Sequence, residues 1–176
     1  MVLETERLIL RELVIDDWQA IHLYAADADL VKFMEWGPNS EGDTKAYVHH
    51  IISTQGQTPR KVYEFAITLK GDGSLIGGCG LYLEEHSQAS LGYCLNRTFW
   101  GRGFATEAAY SLCQFGFYDI HLHRIFATCR PENTASARVM EKLGMKKEGT
   151  LREHFYAKGK WQNSFMYSVL ADEFTE

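Results

Sequence analysis

The sequence predicts an α/β fold of the α+β kind: a single domain over residues 1–176, built as a mixed, mostly antiparallel sheet with helices on its faces. Three observations predict it. Segments of alternating apolar residues are interleaved with segments of helical period, in the order β-α-α-β-β-β-α-β-α-β-β. Three of the strands follow one another in mid-chain with turn residues between them, which makes an antiparallel meander. The length, with 45% hydrophobic and 23% charged residues, suits one core at about 100–200 residues per domain, and no repeat or linker interrupts it.

The elements follow from local chemistry. Leu3 to Val14 reads as a strand, with Leu8 and Leu10 on one face. Asp16 and Asp17 can cap a helix carrying Trp18, Ile21 and Leu23, and a short helix holds Leu30 to Met34. Gly37-Pro38 makes 35–40 a loop, and Thr44 to Ser53 is a helix with Tyr47, Val48 and Ile51 inward. Val62 to Leu69 alternates, with Tyr63, Phe65, Ile67 and Leu69 on one side. The Asp72-Gly73 step turns the chain into Leu75 to Leu83, where Gly77, Gly78 and Gly80 signal either a close backbone approach or a bulge. Ala89 to Leu95 is the third meander strand. Thr106 to Tyr118 is a helix, Arg124 to Cys129 a strand, and Ala135 to Leu143 a helix stopped by Gly144. Strands over Met145 to Leu151 and Trp161 to Leu170 flank a turn at Lys158-Gly159-Lys160.

Composition excludes several trades. The net charge of -5 argues against a protein that binds nucleic-acid phosphates. No apolar run approaches the roughly 20 residues of a bilayer span, and no basic-then-apolar leader opens the chain. The four cysteines, Cys79, Cys94, Cys113 and Cys129, lack metal-ligand spacing and sit in apolar runs, so they read as buried thiols of a cytoplasmic protein. No metal site is expected.

The informative segment runs from Asn96 through Gly101-Arg102-Gly103-Phe104-Ala105-Thr106 to Ala108. A strand enters a glycine loop and a helix starts directly after it. The first helical amides have no intrahelical partners and present N–H groups to an anion, so the loop is a phosphate cradle with Arg102 beside it. A dinucleotide fingerprint would need glycine where Thr106 stands, and a Walker loop would need a Gly-Lys-Ser/Thr ending. A pyrophosphate loop for coenzyme A, or a tight strand-to-helix turn, remains.

This loop, together with Arg130-Pro131-Glu132-Asn133-Thr134-Ala135-Ser136 through Glu141-Lys142-Leu143-Gly144 and the opening Glu4-Thr5-Glu6-Arg7-Leu8, resembles the GNAT superfamily of acetyl-CoA-dependent N-acetyltransferases. Within it the chain is similar to the RimJ/RimL branch, which acts on ribosomal-protein N-termini, and the resemblance spans essentially the whole chain. It implies a splayed strand pair in the sheet and acetyl-CoA as co-substrate. Pyrophosphate would rest on Gly101, Arg102, Gly103, Phe104, Ala105 and Thr106, after Trp100 where many relatives have Gln or Arg. The backbone of Cys94, Leu95 and Asn96 would pair with pantetheine, and Asn133 would hydrogen-bond it.

Ser136 would donate a proton to the leaving thiolate; the tyrosine many relatives carry on this helix is Met140 here. An amine must lose a proton before it attacks, and Glu84 and Glu85, at the end of a meander strand, are candidate bases. Relatives often place an acid where Ser90 stands, and an Asp where Asn163 stands. Glu35, a further base candidate, would meet the acceptor together with Trp36 and Tyr82; Tyr24, Phe33 and Tyr156 could extend the cleft, and Glu153 is a weaker option. The partner is then an amine acceptor, a protein N-terminus or a small amine, with no nucleic acid and no membrane, and the chain is a monomer or homodimer. A non-catalytic acyl-CoA-binding or sensing module is the alternative, motivated by the missing tyrosine and the unclear base. Charge divides along the chain: Arg97 to Lys160 carries 11 basic and 6 acidic residues, and the rest 7 and 17. The basic part would meet the polyanionic coenzyme and the acidic part a cationic acceptor.

Overall fold

A computed structural model describes residues 1–175. Eight strands form one sheet in the order β1-β2-β3-β4-β5-β6-β8-β7. They are β1 (Val2–Glu4), β2 (Leu8–Glu12), β3 (Val62–Leu69), β4 (Leu75–Leu83), β5 (Gln88–Leu95), β6 (Arg124–Cys129), β7 (Lys146–Ala157) and β8 (Lys160–Leu170). Among the described residues, only β5 and β6 pair in parallel. The helices are α1 (Trp18–Ala25), α2 (Glu41–Thr54), α3 (Phe104–Gln114) and α4 (Thr134–Lys142).

Period-2 alternation gives the sheet two apolar faces. Phe65, Ile67, Leu81, Leu91 and Leu95 pack with Ala108, Leu112 and Met140 of α3 and α4. Ala66 of the opposite face packs with Ile21, Tyr24, Val48 and Ile51 of α1 and α2. The splay sits between β5 and β6, whose register ends at Ser90 opposite Phe126.

Several elements differ from the sequence reading: the helix after the glycine loop ends in a π-helical turn over Phe115–Asp119, the seventh strand runs on to Ala157, and four others change as follows. The first strand is a hairpin, Val2 opposite Arg11, because the Thr5 hydroxyl accepts the Leu8 N–H (2.9 Å) and turns the chain. Helix α2 starts at Glu41, where Ser40 and Asp43 cap each other. The short 30–34 helix is one 3₁₀ turn over Val31–Phe33. Asp17 does not cap α1: its carboxylate accepts the Val14 N–H and two bonds from Arg11.

Candidate active site

The loop ahead of α3 is shaped by two glycines in the left-handed region, Gly101 (φ 75°) and Gly103 (φ 82°), the second at the N-cap of α3. No side chain caps this helix end. The amides of Phe104, Ala105 and Thr106 are therefore left for an anion. The loop is pinned from outside. Glu107, in the first turn, accepts bonds from the Thr5 hydroxyl (2.6 Å), the Arg7 N–H (2.9 Å) and Arg7 Nε (2.7 Å), while Arg7 Nη1 donates to the Arg102 carbonyl (3.0 Å). Desolvation acts against the Glu107 charge, but these bonds outweigh it and hold the carboxyl below its usual range. The Thr5, Arg7 and Glu107 of the sequence motifs are thus one clamp between β1–β2 and the anion loop.

A cavity of about 600 Å³ opens where β5 and β6 part. The hydrogen-bond register shows which backbone groups reach it. The Asn96 N–H donates to the Ile76 carbonyl (2.9 Å) and the Gln88 carbonyl accepts the Glu84 N–H, so even-numbered residues of β5 turn their polar groups to β4. Cys94 and Asn96, expected to pair with pantetheine through their backbones, are therefore committed to β4. Tyr93 and Leu95 face the open edge instead, and the Leu95 carbonyl already accepts the Trp100 indole N–H (2.8 Å). This leaves the Tyr93 and Leu95 N–H groups for a ligand.

Two chemical centres line this cavity from opposite faces of the sheet. On the α3/α4 side, the Tyr93 hydroxyl lies 2.9 Å from Ser136 Oγ and donates to the Ser136 carbonyl (3.1 Å). Asn133, which also lines the cavity, accepts the Ser136 N–H (3.2 Å) on Oδ1 as N-cap of α4. Burial raises the Tyr93 phenol, so it stays protonated.

On the α1/α2 side stands Glu64 of β3, 5% exposed. It accepts the Tyr47 hydroxyl (3.0 Å) and the Tyr82 hydroxyl, one on each oxygen. Desolvation pushes its carboxyl up to about 7, against the lowering effect of both phenols. Gly78 and Gly80 of β4 make the room: a Cβ at Gly78 would lie 3.2 Å from Glu64 Oε1, and one at Gly80 would collide with Oε2. The glycine run thus serves a close approach, here of a carboxylate. The Cys94 thiol also lines the cavity, and burial raises it to about 12, far from a nucleophilic thiolate.

The remaining sequence candidates divide. Tyr82, Glu35, Trp36, Tyr24 and Phe33 line the cavity, and Lys158 Nζ ties the β7–β8 turn to the Trp36 and Gly37 carbonyls (3.1 and 2.7 Å). Glu84 and Glu85 do not reach it: they sit in the exposed β4–β5 turn, the Glu85 side chain 90% exposed. Tyr156 and Glu153 are also outside its lining. Sequence reasoning missed Glu64, Tyr93 and the Thr5–Arg7–Glu107 clamp. The available signal for Glu64 was one acid inside an apolar strand, which alternation alone assigns to a solvated face.

Residues 7–146 match the family model for the acetyltransferase (GNAT) domain. The chain is 35% identical to the uncharacterized N-acetyltransferase YnaD of Bacillus subtilis (strain 168) over 98% of this chain and 99% of that one. It superimposes with a TM-score of 0.88 on the crystal structure of a GNAT-family acetyltransferase from Bacillus anthracis, at 33% identity over 98% and 100% of the two chains. It shares its fold with the ribosomal-protein-S5-alanine acetyltransferase of Vibrio fischeri (TM-score 0.84, 21% identity, all of both chains). By the family match over most of its length and its identity with full-length relatives, the chain belongs to the GNAT family of N-acetyltransferases.

Proposed function

We propose that the protein transfers acetyl directly from acetyl-CoA to a primary amine in the cytoplasm, with Glu64 as proton acceptor and the Tyr93–Ser136 pair as proton donor. One observation carries this reading: Glu64 and the Tyr93–Ser136 hydroxyls line the same cavity at the splay, one from each face of the sheet. The residues present suit coenzyme A. The uncapped N-terminus of α3 and its two left-handed glycines offer N–H groups to a pyrophosphate, and the β5 edge offers Tyr93 and Leu95 to an amide-bearing arm.

In the reaction the ammonium gives a proton to Glu64 and its lone pair forms the C–N bond at the thioester carbonyl. An N–H on the open edge of β5 stabilises the oxyanion. The C–S bond then breaks, the thiolate takes a proton from the Tyr93–Ser136 hydroxyls, and the nitrogen, now bonded to the acetyl carbon, releases its second proton, which solvent returns to that hydroxyl pair. A carboxyl near 7 divides its time between charged and neutral forms at neutral pH, which suits a general base. The high thiol pKa at Cys94 favours direct transfer over an acyl-cysteine route. Glu64 supplies the base whose apparent lack motivated the binding-module alternative. Relatives in fold act on ribosomal-protein alanine or on spermidine by their names, so a protein N-terminus and a small amine both stand as acceptors.

The test is release of free CoA thiol from acetyl-CoA with a panel of peptides and small amines. Acceptor-dependent release that is lost in Glu64→Gln and reduced in Tyr93→Phe is expected. Tight CoA binding without release for any acceptor would overturn the reading.

A further inference from the structure

Arg130 is the cavity's unexplained charge. It follows β6 on the α1/α2 side of the sheet, lines the cavity and is 4% exposed. Its guanidinium stacks on the Phe155 ring, 3.7 Å from the centroid, and Nη1 donates to the Asn163 carbonyl (3.1 Å). Nothing else holds it. Among the described residues it has no ion pair, Nε is buried without a hydrogen-bond partner, and Nη2 is neither bonded nor enclosed. Glu35 and Glu132 act on it electrostatically, but neither comes within salt-bridge distance. A buried charge is strongly destabilising when unpaired, and so is a buried N–H without an acceptor.

The geometry of the unused donors is specific. Nη1, on the side of the chain stem, is taken by Asn163. Nε–H is enclosed by protein, and Nη2, on the other edge, is the donor left open to an oxygen of a carboxylate or phosphate. Glu64, suited to an ammonium, lines the same cavity.

We infer that Arg130 is a specificity residue and that the acceptor is a small amine bearing an oxyanion, a carboxylate or a phosphate ester, held by Nη2 while its amine meets Glu64. The inference rests on the acetyltransferase reading of this cavity. It deepens that reading by selecting, from all primary amines, those that are zwitterions. The Glu35 charge beside Arg130 then has a role: it disfavours an anion that arrives without its ammonium.

The experiment compares matched acceptors by thiol release: each amino acid with its amide and its decarboxylated amine, and phosphoethanolamine with ethanolamine. At least one oxyanion-bearing member is expected to exceed its neutral partner in kcat/KM by tenfold or more. Arg130→Lys, which keeps the charge and loses the planar Nη2 donor, should shrink that ratio mainly through KM, and Arg130→Gln should abolish it. The amino acid and phosphoethanolamine arms separate a carboxylate from a phosphate. Neutral amines or peptide N-termini that react as well as every oxyanion-bearing partner would overturn the inference while leaving the acetyltransferase reading intact. If no acceptor turns over, the acetyltransferase reading fails by itself. The thermal shift of the enzyme–CoA complex with the same compounds then still reads Arg130: stabilisation by the oxyanion members that is lost in Arg130→Gln supports it, and no shift overturns it.

Discussion

Replacing Glu64 by Gln keeps the shape of the side chain and removes its charge, and its effects can be worked out from the site. The carboxyl is moved from 4.5 to about 7 by burial. Its charged form is thereby disfavoured by roughly 3 kcal/mol, since each pKa unit is about 1.36 kcal/mol. The folded protein holds this proton between pH 4.5 and 7, whereas the unfolded chain releases it. Folding stability therefore falls as pH rises through that window and levels off above it. The Gln variant lacks this dependence. Relative to wild type it should gain roughly 3 kcal/mol between pH 4 and pH 8, which at roughly 2–4 °C per kcal/mol is a relative Tm gain of about 6–12 °C. Activity moves the other way. Wild-type kcat/KM should fall along an acid limb with its midpoint near pH 7, and Glu64→Gln should drop kcat by about 10²–10⁴ and abolish that limb. Differential scanning calorimetry and thiol release across pH 4–9 check both. Parallel stability profiles for the two proteins would refute the buried-carboxyl account, and an unchanged acid limb would refute Glu64 as the base.

Other perturbations separate the parts of the site. Gly80→Ala places a methyl where Glu64 Oε2 lies, so it should cut kcat about as deeply as Glu64→Gln while calorimetric CoA affinity stays within about twofold. Gly103→Glu puts a side chain at φ 82° and a carboxylate at the anion loop; CoA affinity should fall by at least about tenfold, measured by calorimetry on a protein whose circular dichroism is unchanged. Glu107→Ala frees the anion loop from Thr5 and Arg7, and KM for acetyl-CoA should rise about tenfold with kcat little changed in steady-state kinetics. Tyr93→Phe should lower kcat by about 10–100-fold and Ser136→Ala by less, because the phenol keeps its bond to the Ser136 carbonyl.

The local elements were legible because their signals are local. The Asp72-Gly73 turn, the alternation of β3 and the Gly101/Gly103 entry to α3 each lie within a dozen residues of what they specify. The first hairpin was read as one strand because its turn is made by a Thr5 side-chain bond within an alternating run, without glycine or proline. Among site residues, the anion loop, Asn133 and Ser136 were readable as motif. The cavity's buried carboxylate was missed because Glu84 and Glu85 at a strand end look available to a substrate, while Glu64 looks like the solvated half of an alternation. Burial turned this around: the helices α1 and α2 cover that face, and two missing side chains on β4 leave space for a carboxylate.

The sequence by itself determined the fold class, the family and the anion loop, each written in contiguous residues whose backbone preferences and spacing survive any packing. Only the tertiary structure decided the chemistry at the splay. The register between β3 and β4 brings Tyr82 to Glu64, α2 brings Tyr47, and α4 brings Ser136 to Tyr93. The pKa of Glu64 and the unpaired edge of Arg130 are properties of what surrounds them in space. They exist only once desolvation and partners from distant segments are in place.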